Sequence, residues 1–291
     1  MPGIKDLLRT IFDRLGFQVI RASRSQPVAQ LTGVRNVLNH PPGPSRAGME
    51  NLGHACLALQ LEWLLRDFQI DCILDVGANN GQFAAELRDL GYRGRIASFE
   101  PMAACVATLR RKAVADRRWS VFPFGLGSAP ENRVLTHFAD SSFNSLHAIT
   151  ADARAEFGGF VEETGSEDIE LRTLDEAWAE AVEAHGSRRV LLKLDTQGHD
   201  LEVLKGAPRH LADCAVVLSE ASLAAIYADS PSYHLLFGFL EERGFECSGV
   251  NALSYRADRP ALIEVNAVFI NAKVARQAAE ARGRHPAAFK A

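Results

Sequence analysis

At 291 residues the chain has room for one domain of roughly 200 to 250 residues plus extensions. With 47% hydrophobic and 23% charged residues it can close a core without disulfides or metal. A formal net charge of −4 argues against a dedicated nucleic-acid binder.

Five cysteines, Cys56, Cys72, Cys105, Cys214 and Cys247, are scattered and form no Cys-x-x-Cys pair. That pattern argues against a disulfide framework or a zinc site and for a reducing, cytoplasmic setting. No apolar run reaches the roughly 18 residues of a spanning helix, so stable membrane insertion is not expected.

In chain order, Ile4, Leu7, Leu8, Ile11, Phe12 and Leu15 form an apolar stripe at helical spacing, interrupted by Asp6, Arg9, Asp13 and Arg14. The charges rule out a signal-type apolar core. The stripe fits a helix packed on the domain or on a second subunit, so a homodimer is compatible with it; a membrane surface or the substrate site are the other candidate seats. Ser25 to Gly48 is punctuated by Pro27, Gly33, Pro41, Pro42, Gly43 and Pro44 and reads as a linker. The expected organisation is therefore an N-terminal extension over 1–48, a main domain over 49–271 and a tail over 272–291.

The main domain opens with a helix through Leu57, Leu61, Leu64 and Leu65, which leads to a strand at Cys72–Val76. Helix Gln82–Leu90, strand Arg95–Phe99, helix Ala103–Val114 and an extended stretch Trp119–Phe124 follow. This alternation predicts βαβ units and a doubly wound, mostly parallel α/β sheet. Asn132–Arg172 reads as short strands and loops over the sheet edge. Thr173 then caps a helix to Ala184, with Glu176 completing a capping box. Strand Val190–Leu194, a helix around Leu201–Lys205, strand Ala215–Ser219 and helix Tyr233–Arg243 continue the pattern. Two late strands, near Phe245–Val250 and Glu264–Ile270, have no helix between them and suggest an antiparallel hairpin at one edge.

A nucleotide site is expected after the first strand. In Leu74-Asp75-Val76-Gly77-Ala78-Asn79-Asn80-Gly81 a buried strand ends in an acid and turns through glycines into a helix. Gly77 and Gly81 allow the tight turn, and the helix N-terminus favours an anionic group. Glu100, 23 residues after Gly77, closes the next strand, where a carboxylate can accept both ribose hydroxyls. Asn79 occupies the second glycine of a dinucleotide fingerprint, and Asp75 suits an ammonium better than a pyrophosphate. A ligand with a ribose, an amino group and a carboxylate fits, and S-adenosylmethionine has all three.

Together with Phe99-Glu100-Pro101, Asn144-Ser145-Leu146 and the long run Leu192-Lys193-Leu194-Asp195-Thr196-Gln197-Gly198-His199-Asp200 through Ala207, these residues make the chain resemble the FkbM family of S-adenosylmethionine-dependent methyltransferases. The resemblance extends over about Cys72 to Ile270. It implies a Rossmann-like, class I methyltransferase sheet of seven strands with an antiparallel last strand, and O-methylation of a hydroxyl on a sugar, polyketide or related metabolite. Many members of the family carry an acid where Gln197 stands.

Cofactor contacts are expected from Asp75, Gly77, Asn79, Gly81, Glu100 and Pro101, from Gly125 on the adenine side, and from Asn144 and Ser145 in a covering loop. Ligands of such sheets lie beyond the carboxyl ends of the strands, which puts His199, Asp195 and Glu220 near the reacting groups. His199 is the first choice for a general base, because an unperturbed imidazole titrates near neutrality. Asp195, His199 and Glu220 are also conceivable ligands of a divalent ion, which is not the favoured reading. The competing functions are a nicotinamide-dependent oxidoreductase and a non-catalytic nucleotide-binding module.

Overall fold

The computed structural model describes residues 45–281. The N-terminal stripe, most of the expected linker and the end of the tail lie outside them. Helix α1 (Arg46–Asp67) starts inside the stretch read as linker. Ser45 caps it, its hydroxyl accepting from the Gly48 N–H at 3.1 Å, so Gly48 is a first-turn helix residue and not the linker's end.

The strands β1 (Cys72–Val76), β2 (Arg95–Phe99) and β3 (Trp119–Phe122) alternate with α2 (Gln82–Asp89) and α3 (Ala103–Ala113). After β4 (Gly125–Leu126), β5 (Glu131–Phe138), α4 (Ala151–Phe157) and β6 (Glu163–Arg172) come α5 (Leu174–Ala181) and β7 (Val190–Leu194). The chain continues through α6 (Asp200–Lys205), β8 (Cys214–Ser222), α7 (Tyr233–Glu241), β9 (Phe245–Tyr255), β10 (Leu262–Asn271) and α8 (Ala272–Ala281).

The main sheet has the order β3-β2-β1-β7-β8-β10-β9. The first five strands pair in parallel, and β10 runs antiparallel to both neighbours. This is the expected class I methyltransferase sheet. The late hairpin does not simply hang at the edge: β10 inserts beside β8 and leaves β9 outermost. The reversal of order between β1 and β7 leaves a crevice at the carboxyl ends of those strands, the usual ligand position of open α/β sheets.

Strand alternation builds the two faces. Leu74, Val76, Phe99, Leu192 and Leu194 point to one side, where they meet Trp178 of α5, Val203 of α6 and Leu240 of α7. Ile73, Ile96, Leu191, Val216 and Val268 point to the other, against Leu61 and Leu64 of α1, Leu87 of α2 and Leu109 of α3. Both faces are covered, which explains why β1 and β7 are buried at every position.

The irregular middle region is more ordered than its composition suggests. β4, β6 and β5 form a separate three-stranded sheet, and α4 follows the covering loop. The capping box of Thr173 and Glu176 is present at the start of α5. That helix ends at Ala181 rather than Ala184. Among the described residues no helix is long and apolar enough to cross a membrane.

Candidate functional site

A cavity of about 470 Å³ opens at the carboxyl ends of β2, β1, β7 and β8. One of its ends is floored by Gly77, Asn79 and Glu100, the other by Glu220, Glu264 and Asn266. Leu253 of β9 and His54 and Leu57 of α1 also reach it, so α1 supplies part of a wall.

Gly77 has φ +74°, and a Cβ there would run into the Asp195 carbonyl. Glycine is needed because the ends of β1 and β7 are drawn together, the Asp195 N–H donating to the Val76 carbonyl at 3.1 Å. Asn79 also has a positive φ, 45°, which its short side chain tolerates. Its N–H donates to Glu100 Oε2 at 2.7 Å, and the Met102 N–H donates to Oε1 at 2.9 Å. Glu100 is thereby fixed at the end of β2. Burial pushes its carboxyl up to about 7 against the lowering effect of the two backbone donors. Each oxygen keeps a lone pair for a further hydroxyl donor.

Next to Glu100, Met102, Leu135, Ile169 and Leu171 make an apolar cluster, continued in the cavity wall by Pro101, Gly125 and Leu126. This slot fits a flat heteroaromatic ring. On the other side of Glu100, the first-turn N–H groups of α2 have no acceptor within the helix, and Gln82 and Phe83 line the cavity there. A slot, a carboxylate with lone pairs to spare and an anion-favouring helix start thus follow one another along the cavity wall.

Three expected cofactor contacts fall elsewhere. Asp75 is wholly buried and does not line the cavity. Its Oδ1 lies 3.1 Å from Lys193 Nζ and its Oδ2 accepts from Ser98 Oγ, so this chain's own lysine takes the place given to a ligand ammonium. Gly81 faces Leu109 and Trp119 and serves the packing of α2. Ser145 donates to the Gln197 carbonyl at 2.7 Å and accepts from the His147 N–H, and ties two loops together. Ser141 and Ser142 line the cavity in its stead. Asn144 does line it, with its Oδ1 already held by the Phe138 N–H at 2.8 Å.

His199, Asp195 and Glu220 all line the cavity, but in different settings. His199 is buried near Gly127, with Nδ1 3.4 Å from His147 Nε2 and no hydrogen-bond partner at Nε2. Burial, and then the neighbouring His147, lower its pKa to about 4. It stands as a neutral, weak base.

Asp195 does not cap the helix that follows, whose N-cap residue is His199; Asp200, its first residue, instead ties the turn together by accepting from the Thr196 N–H and hydroxyl and from Ser219. Asp195 Oδ2 is 3.2 Å from Lys193 Nζ, and its Oδ1 accepts from Gln197 Nε2 at 2.7 Å. Glu220 is forced well above the ordinary carboxylate range by burial and by the charges of Asp195 and Glu264. Glu264, two places from the partner of Glu220 on β10, is raised to about 7 by burial, against the hydrogen bond from Ser254.

Lys193 was not among the expected site residues. Its ammonium contacts Asp75, Asp195 and the Gly77 carbonyl. Burial alone would lower its pKa, but the surrounding Asp195, Asp75 and Glu220 carboxylates reverse the sign. The signal was available: one charge inside Val190-Leu191-Leu192-Lys193-Leu194, a strand otherwise apolar. Glu264 and Asn266 carried the same signal in β10. Among the described residues no group of His, Cys, Asp and Glu is arranged to hold a metal.

The model of the methyltransferase FkbM domain matches residues 75–247, more than half of the chain. The chain belongs to the FkbM methyltransferase family. Among curated relatives, methyltransferase sdnD of Sordaria araneosa is 31% identical over 159 residues, 46% of this chain and 59% of sdnD. The AMB antimetabolite synthetase AmbE of Pseudomonas aeruginosa is 28% identical over 205 residues, 60% of this chain but 10% of that protein. The match thus spans less than two thirds of either relative. A solved methyltransferase FkbM from Methylobacillus flagellatus KT superposes with a TM-score of 0.43 at 14% identity, over 93% of this chain and 71% of that one.

Proposed function

We propose that this FkbM-family chain binds S-adenosylmethionine and transfers its methyl group to a hydroxyl of a small molecule, with a sugar or polyketide as the favoured class. The reading is carried by one observation: a single cavity runs from Glu100 past Gly77 to Glu220 and Glu264. A donor seated at one end faces an acceptor at the other.

The bound cofactor supplies an electrophilic methyl group, and the protein has to position, exclude water and manage one proton. Glu100 holds the ribose hydroxyls, and the slot from Pro101 to Leu171 holds the adenine. The start of α2 faces the carboxylate, and Asp195 takes the ammonium partner role that Asp75 cannot fill. Ser141, Ser142 and Phe143 cover the site, and the Tyr227 hydroxyl, whose one proton is shared between Gln197 Oε1 at 2.7 Å and the Phe143 carbonyl at 3.1 Å, holds that cover.

The acceptor's proton goes to the Glu264–Glu220 pair. A carboxyl titrating near 7 matches the working pH of a general base, whereas an imidazole lowered to about 4 does not. His199 then shapes the adenine side. Glu264 and Asn266 at the acceptor end also favour a neutral or hydroxyl-rich acceptor over a carboxylate or phosphate.

Calorimetric titration of the intact protein with S-adenosylmethionine, and with NAD as control, tests the cofactor. Micromolar binding of the first alone is expected, lost in Glu100→Ala. Binding of NAD alone would overturn the reading. A panel of hydroxylated acceptors with labelled cofactor then tests O-transfer; product methylated only on nitrogen or carbon would refute that part.

A further inference from the structure

Helix α1 is apolar on both of its faces. Its inner face supplies Leu61 and Leu64 to the core. Its outer face carries Met49, Leu52, Leu59 and Trp63, exposed by 44, 38, 40 and 55%, with the exposed Cys56 between them. The steps along this row are three, four, three and four residues, the spacing of a seam that packs against another helix. Asn51, Glu62 and Arg66 occupy the side between the two rows, so the outer row is a separate apolar stripe that another element can cover.

We infer that the outer face of α1 is the seat of this chain's own N-terminal segment, residues 4–15. Ile4, Leu8, Ile11 and Leu15 repeat with steps of four, three and four, the matching half of such a seam, and Leu7 and Phe12 widen it. The chain enters α1 at Ser45, and residues 16–44 provide the connection. The seam from Met49 to Trp63 is about 21 Å long at 1.5 Å per residue, and 29 linking residues span far more than that.

A second copy of the chain is the weaker occupant. The row offers only these few exposed side chains, far short of the roughly 20–30 residues a side of a stable interface. A tethered segment needs less, because its effective concentration is set by the linker. The placement has a consequence for the cavity: His54 and Leu57 line it from the same helix, so the segment braces that wall from behind. The inference does not depend on the reaction proposed above.

Thiol labelling of the full chain, resolved by peptide mass spectrometry, tests it. Cys247, exposed on β9, serves as the internal reference. Cys56 is expected to label at least tenfold more slowly than Cys247, and to catch up with it in the full-length Leu8→Asp/Ile11→Asp variant. Under mild oxidation Leu8→Cys or Ile11→Cys is expected to give a disulfide with Cys56 within one chain. Equal labelling of Cys56 in the parent and variant chains would overturn the inference. So would protection that disappears on dilution together with a dimer, seen by light scattering, which would assign the face to a second copy.

Discussion

The Tyr227 hydroxyl donates to Gln197 Oε1 at 2.7 Å, and Gln197 in turn donates from Nε2 to Asp195. Gln197 sits at φ +51°, a left-handed conformation that non-glycine residues adopt only when neighbours hold it. The same hydroxyl proton is shared, in a bifurcated bond, with the Phe143 carbonyl at 3.1 Å, so one tyrosine connects the β7 end to the loop over the cavity. The amide of Gln197 supplies both a donor for Asp195 and an acceptor for Tyr227.

Tyr227→Phe removes the shared hydroxyl and leaves its partners short of a donor. A loss of about 1–2 kcal/mol of stability is expected. The larger effect should fall on S-adenosylmethionine affinity, several-fold weaker as the covering loop loosens. Urea denaturation alongside calorimetry separates the two; unchanged affinity would show that the loop is held by other contacts.

Lys193→Met leaves Asp75 buried without its cation. Removing one partner of a buried pair costs about 3–5 kcal/mol, and Asp75 has no exposure through which water could compensate. The double variant Lys193→Met/Asp75→Leu should regain part of that loss. Chemical denaturation of the three chains is the check, and a single variant as stable as the parent would contradict the pairing.

The pH dependence of stability follows from Glu100 and Glu264. Both carboxyls are raised from 4.5 to about 7 in the folded chain. Between those values the native state binds more protons than the unfolded one, so their contribution to stability falls as pH rises through that window. Glu100→Gln and Glu264→Gln should each flatten the decline between about 4.5 and 7. A stability profile that keeps the parental slope in both variants would refute the assignment.

Glu264→Gln is also expected to lower kcat by roughly 10²–10⁴ on an acceptor found in the panel, and to abolish its rise with pH near 7. His199→Gln should change kcat by less than about tenfold, as expected of a group outside the proton path. The reverse ranking would restore His199 as the base.

Gly77→Ala should be among the most damaging single-methyl additions in the domain. It combines a positive φ with a collision against the Asp195 carbonyl, and a backbone atom cannot swing aside as a side chain can. A loss exceeding about 1 kcal/mol is expected from the conformation alone, read as a lowered Tm.

Much of this was legible in the sequence. Near-continuous apolar runs in Cys72–Val76 and Val190–Leu194 mark strands buried on both faces, and the intervening helices follow from 3.6-residue periodicity. Local chemistry likewise marks the Gly77 turn, the Thr173 cap and Glu100 at a strand end. These are short-range properties, set by the conformation each residue allows and by which neighbours lie within a turn or a strand.

What the sequence left open depends on contacts between distant segments. Asp75 has the same local context whether it meets a ligand or a lysine, and only the pairing of β1 with β7 places Lys193 against it. His199 looks like an ordinary base until burial beside His147 lowers its pKa. Glu264 becomes interesting only because β10 inserts next to β8 and brings two carboxyls into one desolvated place. Charge, solvation and proton affinity are set by three-dimensional surroundings, so the tertiary structure alone decided which polar residues face the cavity and which hold it together.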